Sequence, residues 1–415
     1  MTGNGPSYSG LLKNRSFASM WVGQVVSQSG DAVFDVALLW LVLITTGSTA
    51  LVGLTQAAVL IPGVVVGPFS GVYVDRLNRK TIMVVSNISQ GVVTGTISLL
   101  FVMRDLTFSS LIFLVLLLFT GAQFFRAALT AIIPRMVSKE NLGAANSLFT
   151  FSLSANQLAG YAVGGIIIAT LGAVAPITYD SLTFFFAAAM MTLIVTSYGQ
   201  PRKDASINEC NTKREFSRDF REGLAYVRQN RFFLELMVFG LITNFFGAGV
   251  ATMIAPYVKF WLKGDSLAYG FMLAAFALGT IVGALGVGKV NFRTYVGKLI
   301  IFGVIATGLL IALAGIVTTV PEGFILFLAV GALSGVINTP IQALVQTQVP
   351  GELLGRAITV MSSLLGAAQP IAALTFGWLA GFSSVGLLFE IAGLGMAFIT
   401  LSFSIPFGQL RNAKY

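Results

Sequence analysis

Twelve apolar segments, each about 20 residues or longer, follow one another along this chain of 415 residues. A helix of about 20 apolar residues crosses the hydrocarbon core of a bilayer, so every segment is long enough to span a membrane. Charged residues make up 10% of the chain, against roughly 25% in soluble proteins, and no segment shows the alternation of a membrane β-barrel. We therefore predict an all-α membrane protein with twelve transmembrane helices in two six-helix halves.

The polar connections between the predicted spans are mostly short. The first span is longer than the apolar core of a signal peptide, and we expect it to be retained as a helix. The predicted spans are 17–45, 50–72, 81–103, 108–133, 142–171, 177–198, 232–258, 267–288, 297–319, 323–345, 355–380 and 384–407.

One long polar segment separates the first six spans from the last six. The chain then comprises an N-terminal six-helix half at 1–198, a cytoplasmic linker at 199–231 and a C-terminal six-helix half at 232–415. In the linker, Phe216, Phe220, Leu224 and Val227 share one face of a helix, which predicts an amphipathic helix beneath the bundle. This helix is either a tether between the halves or a regulatory docking site.

Basic residues are concentrated on one side of this topology. With the N-terminus placed inside, 21 of the 25 Lys and Arg residues fall in cytosolic tails and loops. The outer loops hold Arg104, Lys259 and Lys263, and Arg126 lies within a span. Because cytoplasmic loops are enriched in Lys and Arg, we predict that both termini are cytosolic. The net charge of +9 then reflects membrane orientation and not binding to nucleic acid.

The chain has one cysteine, Cys210, and no histidine. These counts exclude an internal disulfide and a multi-cysteine metal site, and they leave carboxylates as the groups for any proton relay. The sequence also contains no phosphate-binding glycine loop with its lysine and no common nucleophilic triad. We therefore expect no enzyme activity, no cofactor, no metal site and no transport driven directly by ATP.

The first span carries a polar stripe. Gln24, Gln28, Asp31 and Asp35 recur at helical spacing and fall within about 60° of one another around the helix. A charged carboxylate at the centre of a bilayer costs about 2.5–3.5 kcal/mol, so this face must meet a cavity, find a partner or carry a proton. We predict that Asp31 and Asp35 couple proton movement to transport or bind a cation. The alternative is that Asp31 bonds backbone groups at a helix irregularity beside Gly30.

Arg126, with Gln123 one turn away in the fourth span, is a deeply placed cation. It could pair with Asp31 or Asp35 and take part in proton coupling, or it could form a structural ion pair or reach the inner surface. Polar or aromatic residues on otherwise apolar spans are candidates for substrate binding, although each is also a candidate for an interhelical hydrogen bond. These candidates are Gln28, Gln123, Asn146, Gln157, Asn244, Phe245, Asn338, Gln342 and Gln369.

A weak internal repeat relates the two predicted halves. The segment 137–145 matches the segment 212 residues later at five of nine positions. The same offset relates Gly67 and Gly71 to Gly279 and Gly283. Repeats of this kind occur in transporters built from two six-span halves.

The basic turn between the second and third spans, Gly71-Val-Tyr-Val-Asp75-Arg76-Leu-Asn78-Arg79-Lys80, resembles the signature loop of the major facilitator superfamily. Asn78 replaces the glycine that is usual at its position. Four further segments resemble the macrolide-efflux type of drug:proton antiporter, a branch that also includes siderophore exporters. They are Trp21–Ser27, Gly30–Asp31, Phe220–Asn230 and Leu354–Arg356.

The resemblance implies a major facilitator fold and transport by alternating access. It also implies that the signature loop forms a gate, whereas the alternative is a simple stop signal for topology. The two glycines of the gate would allow close helix approach, and its charged residues would hold one conformation closed on the inside. The predicted gating residues are Gly67, Gly71, Asp75, Arg76, Arg79 and Lys80.

We predict a secondary active efflux transporter of a bacterial cytoplasmic membrane. It would export amphipathic neutral or cationic small molecules in exchange for protons, acting as a monomer without a cofactor. Its partners would be the small-molecule substrate, protons and membrane lipids, with no nucleic acid. The alternatives are an exporter of an endogenous metabolite such as a siderophore and a non-transporting membrane receptor or scaffold.

Overall fold

The computed structural model of this chain describes 8–200, 221–287 apart from 223 and 226, 295–348, 351–404 and 408–411. Within these residues the regular structure is helical throughout, as the lengths of the apolar segments predict. Eleven helices of the described chain are long and apolar enough to cross a membrane. A twelfth span is formed by two helices that meet at a bend of 41°, and the predicted twelve-span, all-α fold is confirmed.

The helices that precede the linker begin with a short α1 and a long α2. The Asn14 side chain caps the first turn of α2, because it accepts hydrogen bonds from the backbone nitrogens of Ser16 and Phe17. The bent span is α3 with α4, and Pro68 lies in the first turn of α4, where proline favours a helix start. The helices are α1 Tyr8–Lys13, α2 Arg15–Thr46, α3 Thr49–Val65, α4 Gly67–Arg76, α5 Arg79–Val102, α6 Phe108–Met136, α7 Leu142–Leu171, α8 Val174–Thr192 and α9 Thr196–Gly199.

The helices that follow the linker include six long ones. A π-helical turn, Tyr257–Trp261, extends the first of them. The helices are α10 Arg231–Pro256, α11 Ser266–Val287, α12 Val296–Ile316, α13 Val320–Gln348, α14 Gly351–Leu379, α15 Val385–Ser404 and α16 Gly408–Arg411.

The sixth span differs from its prediction at both ends. Helix α8 begins at Val174 and stops at Thr192, although the predicted span runs over 177–198. The apolar residues that follow Thr192 form a turn, and the backbone of Val195 is extended. Apolar composition alone therefore did not mark this helix end.

Helix α5 shows why these helices belong in a membrane. Its exposed positions include Val85, Ile88 and Val92, whereas its buried residues include the polar Asn87 and Gln90. A soluble helix has the opposite arrangement. The apolar outer face is suited to lipid, and the polar inner face makes hydrogen bonds inside the protein.

Two compact units account for the packing of the chain, one of residues 1–41 with 61–208 and the other of residues 42–60 with 209–415. The second unit thus includes the end of α2 and most of α3, which precede the predicted boundary. Within the second unit, Gly53 of α3 packs closely against α14: a Cβ atom added to Gly53 would lie 2.7 Å from the Cα atom of Gly377. The predicted domain limits 1–198, 199–231 and 232–415 stay a prediction.

Each unit has its own means of packing. In the first unit, buried apolar side chains such as Phe17, Met20 and Met83 form a core cluster. In the second unit, α11 and α13 bring their backbones together at glycines. A Cβ atom at Gly279 would lie 2.8 Å from the backbone nitrogen of Ala332, which is closer than real Cβ contacts.

The linker is described only from residue 221, where its residues 221–222, 224–225 and 227–229 are helical. Val227 of the predicted apolar face is buried and Leu224 is exposed. Phe216 and Phe220 lie outside the described residues, so the amphipathic helix as a whole stays a prediction.

Candidate functional site

The two predicted proton-coupling acids lie at the middle of α2. This helix has 32 residues and no internal proline, and it ends before Gly47, whose φ of 64° favours glycine. Asp31 is half-buried and Asp35 is exposed. Both residues therefore keep solvent-accessible surface, and Asp35 has more of it than Asp31.

The exposure of Asp35 is local. Neighbours on the same side of α2, one turn away at Ala32 and Leu39 and two turns away at Gln28, are buried. A lipid-facing stripe would continue at these positions, because residues three, four and seven apart share a helix face. The exposure of α2 at this level is therefore confined to Asp35 and its neighbour Asp31, and it does not continue as a face toward lipid, which a mid-membrane carboxylate would avoid.

Helix α8 packs on α2 directly beside this acidic pair. A Cβ atom on Gly30 would lie 3.1 Å from the Cα atom of Asp180 and 2.5 Å from its Oδ1 atom. One residue earlier on each helix, the hydroxyl groups of Ser29 and Tyr179 are 2.9 Å apart and share a hydrogen bond. Gly30 is therefore needed for close approach of the two helices. Helix α2 is continuous through Gly30 and Asp31, and the role of Asp31 stays a prediction.

Asp180 is a third acid that sequence reasoning missed. Its side chain is fully buried, and it interacts electrostatically with Asp31 and Asp35. The signal was available, because an acidic residue inside an apolar span is a candidate functional residue by default. It was overlooked because Asp180 has no polar stripe around it and lies near the predicted start of its span.

Arg126 of α6 is exposed and interacts electrostatically with Asp31. Among the described residues, no carboxylate lies within the 4.0 Å of an ion pair with it. Gln123, one turn earlier, is half-buried and donates a hydrogen bond to the backbone oxygen of Phe119 over 3.3 Å. The proton-coupling role predicted for Arg126 stays a prediction.

Helix α7 covers another side of α2 through residues spaced four apart. Gly160 allows this contact, since a Cβ atom there would lie 2.6 Å from the Cβ atom of Ala32. Asn156 donates to the backbone oxygen of Val25 over 2.9 Å and lies 3.5 Å from the Oε1 atom of Gln28. Gln28 is therefore engaged in helix packing, the interhelical alternative that the sequence left open.

Two of the predicted substrate-binding residues meet in the second unit. The Gln369 amide of α14 donates to Asn244 Oδ1 of α10 over 2.9 Å, although 125 residues separate them. Phe245 follows Asn244 and makes an edge-to-face contact with Phe376, with ring centroids 6.0 Å apart. All of these side chains except Phe376 are half-buried, so part of the surface of this amide pair and of Phe245 is open to contact, and their substrate-binding role stays a prediction.

The remaining substrate candidates are not brought together by the contacts of the described chain. Asn146 on α7 is exposed, as are Asn338 and Gln342 on α13. Gln157 on α7 is half-buried. Their exposure leaves them available to a ligand, and their role stays a prediction.

The signature loop contains a buried arginine. Arg79, at the start of α5, is 3% exposed and binds the 66% exposed carboxylate of Asp75 over 2.9 Å. Arg79 also donates to the backbone oxygen of Gln200 over 2.9 Å, and Arg135 donates to the same oxygen. Lys80 donates to the backbone oxygen of Ile194 over 2.6 Å.

These contacts fasten the chain that follows α8 to the signature loop. Asn78, where the superfamily usually has glycine, has an ordinary φ of −68° and caps α5 by accepting from the Thr81 backbone. Because the backbone at Asn78 is not left-handed, this position does not require glycine and tolerates asparagine. Arg76 is half-buried.

The described residues show no close helix approach at the gate glycines. A Cβ atom on Gly67 would meet Gln123 only at 3.6 Å, and one on Gly71 would meet no described atom within 4 Å. In contrast, Gly279 and Gly283, their counterparts in the repeat, are in backbone contact with α13. Close packing at Gly67 and Gly71 and their gating role both stay predictions.

Comparison with known proteins adds two kinds of similarity. A model of the family described as transmembrane secretion effectors matches residues 7–413. Macrolide efflux protein A of Streptococcus pyogenes is 23% identical over 362 residues, which cover 86% of this chain and 87% of that protein. Multidrug efflux pump Tap of Mycolicibacterium fortuitum is 25% identical over 392 residues, covering 93% of this chain and 91% of that protein.

Solved structures share the fold. The crystal structure of a D-xylose-proton symporter has a TM-score of 0.71 at 13% identity and covers 98% of this chain and 100% of its own. A bacterial homologue of the human lysosomal transporter Spinster has a TM-score of 0.66 at 14% identity, with 96% of each chain covered. At these identities the similarity concerns the fold, which is that of membrane transporters.

Proposed function

Because this chain belongs to the transmembrane secretion effector family of the major facilitator superfamily, we propose that it is a secondary active efflux transporter that exchanges protons for its cargo. Family membership confirms the predicted resemblance and the major facilitator fold. The protein is a multi-pass membrane transporter and not an enzyme. The direction of transport follows relatives that are named as efflux proteins.

The observation that carries proton exchange is the local exposure of Asp35 in the middle of α2, with Asp31 one turn away. A carboxylate at this depth is costly unless it meets water or carries a proton. Asp31 and Asp35 also repel each other electrostatically, which favours protonation of one of them. Such a pair takes up and releases a proton as access changes from one side of the membrane to the other.

The proposed cargo is an amphipathic small molecule that is neutral or cationic. The acidic groups beside α2 outnumber Arg126, so an anionic cargo such as a siderophore would be repelled there. Aromatic side chains and a few amides, such as Phe245, Asn244 and Gln369, suit an apolar ligand with sparse polar groups. Macrolides, named in one relative, and the fluorescent cation ethidium are suitable probes.

The proposed setting is a bacterial cytoplasmic membrane with both termini in the cytosol, where the protein acts as a monomer. The energy source is the proton gradient, at about 2.3 kcal/mol per charge for each 100 mV of membrane potential plus the pH difference. No cofactor takes part in this scheme.

The proposal is tested by reconstituting the purified full chain into liposomes with an imposed pH gradient and following ethidium and proton fluxes together. We expect wild-type protein to move ethidium against its concentration gradient with countertransport of protons. Asp31→Asn and Asp35→Asn should each reduce gradient-driven transport by at least about tenfold, equivalent to 1.4 kcal/mol.

Asp105→Asn is the matched control, since Asp105 is an exposed aspartate in the turn between α5 and α6. This variant should transport ethidium at the wild-type rate. Full gradient-driven transport by the double variant of Asp31 and Asp35 would exclude the proposed coupling role. Ethidium and macrolide transport without any proton flux would exclude antiport itself.

A further inference from the structure

The Asp180 side chain combines complete burial with an unsatisfied oxygen. Asp180 has no solvent-exposed surface, and its Oδ2 atom has no hydrogen-bond partner among the described residues. Oδ1 lies 3.5 Å from the Thr183 hydroxyl, but that hydroxyl is already donated to the Asp180 backbone oxygen over 2.8 Å. The carboxyl group therefore has almost no donor to stabilise a negative charge.

The surroundings of Asp180 supply no counterion: none of the ion pairs among the described residues includes it, and the charged groups that act on it are acidic. From α2 the facing ionisable groups are Asp31 and Asp35, both acidic. From α5, which packs along α8 through a hydrogen bond between the Ser181 hydroxyl and the Gly91 backbone oxygen, the charged residues are Arg79 and Lys80 in its first turn. Both lie near the start of α5, where Arg79 donates to the backbone oxygen of Gln200 and Lys80 donates to that of Ile194.

Two further neighbouring groups contribute no positive charge. On α8 itself, Tyr179 shares its hydroxyl hydrogen bond with Ser29. On α7, Tyr161 is half-buried and interacts electrostatically with Asp35. An ionised carboxylate at Asp180 would thus be buried without a counterion, which proteins avoid by neutralising the group.

We propose that Asp180 is a proton-binding site that is occupied in this conformation, and that it exchanges its proton with the Asp31 and Asp35 pair. The assignment rests on the proposed proton antiport and adds a third carboxyl group to it. Protonation removes the uncompensated negative charge from a carboxyl group whose Oδ2 atom receives no hydrogen bond from the described residues.

A proton fits this site better than a metal ion. A bound cation requires several oxygen ligands converging at about 2.3–2.6 Å. Within the described residues, no three acidic, histidine or cysteine side chains are grouped closely enough to hold a metal ion. A proton, in contrast, needs only the one carboxyl group of Asp180 as its ligand.

The exchange is a simple acid–base step. The O–H bond of Asp180 breaks and an O–H bond forms on an ionised Asp31 or Asp35, so one carboxyl group becomes charged as the other becomes neutral. The total charge of the three groups is unchanged by the step. No oxidant, reductant or other reactant is needed.

Infrared spectroscopy of the purified full chain tests the site without any substrate. A protonated carboxyl group has a carbonyl stretching band that an ionised one lacks. At neutral pH we expect the protonated-carboxyl absorption of the wild-type protein to contain a component from Asp180, and we expect Asp180→Asn to lose that component. Asp31→Asn should retain the Asp180 band.

Tyr179→Phe is the matched control, because it removes the neighbouring hydrogen bond to Ser29 and leaves the carboxyl groups in place. It should keep the band. If Asp180→Asn does not fold, Asp180→Glu keeps a carboxyl group and should shift the frequency of the band. A spectrum unchanged by both Asp180 variants would overturn the assignment.

Transport measurements then test the exchange step. In liposomes with a pH gradient, Asp180→Asn should bind ethidium with wild-type affinity but lose at least about tenfold in gradient-driven transport, as expected for a residue needed only for coupling. Wild-type proton flux in this variant would overturn the exchange. If the wild-type protein itself shows no proton-coupled transport, the antiport proposal fails, whereas the infrared band still reports whether Asp180 holds a proton.

Discussion

Arg79 and Asp75 form one ion pair, but the two side chains have very different environments. Arg79 is 3% exposed and Asp75 is 66% exposed. An exposed carboxylate adds little stability to an ion pair, typically less than about 1 kcal/mol. The guanidinium is different, because it is buried and also binds the Gln200 backbone oxygen, so its removal loses two charge-assisted hydrogen bonds and the packing of a buried side chain. The energetic importance of this pair therefore lies with the arginine.

We predict that Arg79→Ala lowers the free energy of unfolding by about 2 kcal/mol or more, whereas Asp75→Asn changes it by less than about 1 kcal/mol. Thermal unfolding of the two purified variants in detergent measures the difference. If Asp75 is a gating residue, Asp75→Asn should still slow transport in liposomes. Equal destabilisation by the two variants would contradict the roles assigned here.

At the scale of secondary-structure elements, glycines determine how closely helices approach. On the pair of helices α11 and α13, Gly279 and Gly283 face Ala332, and in return Gly335 faces the backbone nitrogen of Ala284, which would be 2.7 Å from an added Cβ atom. Glycines four residues apart on both helices allow this contact between backbones. Since lipid provides no hydrophobic driving force between helices, such close packing is a main source of their association.

We predict that Gly283→Leu destabilises the protein by at least about 2 kcal/mol, because its side chain would overlap the backbone of α13. Gly286→Leu is the matched control on the same helix, as no described atom lies within 4 Å of its added Cβ atom. Leucine favours a helix over glycine by up to about 1 kcal/mol, so this control should be neutral or slightly stabilising. Thermal unfolding in detergent measures the stability of the two variants. A similar loss of stability in both would argue against backbone contact at Gly283.

At the scale of the whole molecule, the distribution of charge sets the orientation in the membrane. Basic residues are concentrated in alternate connections between spans, as expected when those connections are cytosolic. The linker carries eight of them and also Cys210, the single cysteine of the chain. This cysteine is therefore a natural probe of topology.

We predict that Cys210 in intact cells reacts with a membrane-permeant maleimide and not with an impermeant one. The matched control is the variant with Cys210→Ser and Asp105→Cys, which should react with both reagents because residue 105 is exposed in a predicted outer turn. Labelling is measured as a mass shift of the purified protein. Reaction of Cys210 with the impermeant reagent would place the linker outside and reverse the proposed orientation.

The sequence by itself determined the number of spans, the membrane environment, the family and the polar stripe of α2, because apolar length, helical periodicity and charge are local properties of the chain. The contact of Asp180 with Gly30, the pairing of Gln369 with Asn244 and the packing of residues 42–60 with the second unit were decided by the tertiary structure. Each joins residues far apart in the chain. Which helix faces meet depends on how the helices cross, and this is a property of the assembled bundle and not of any single segment.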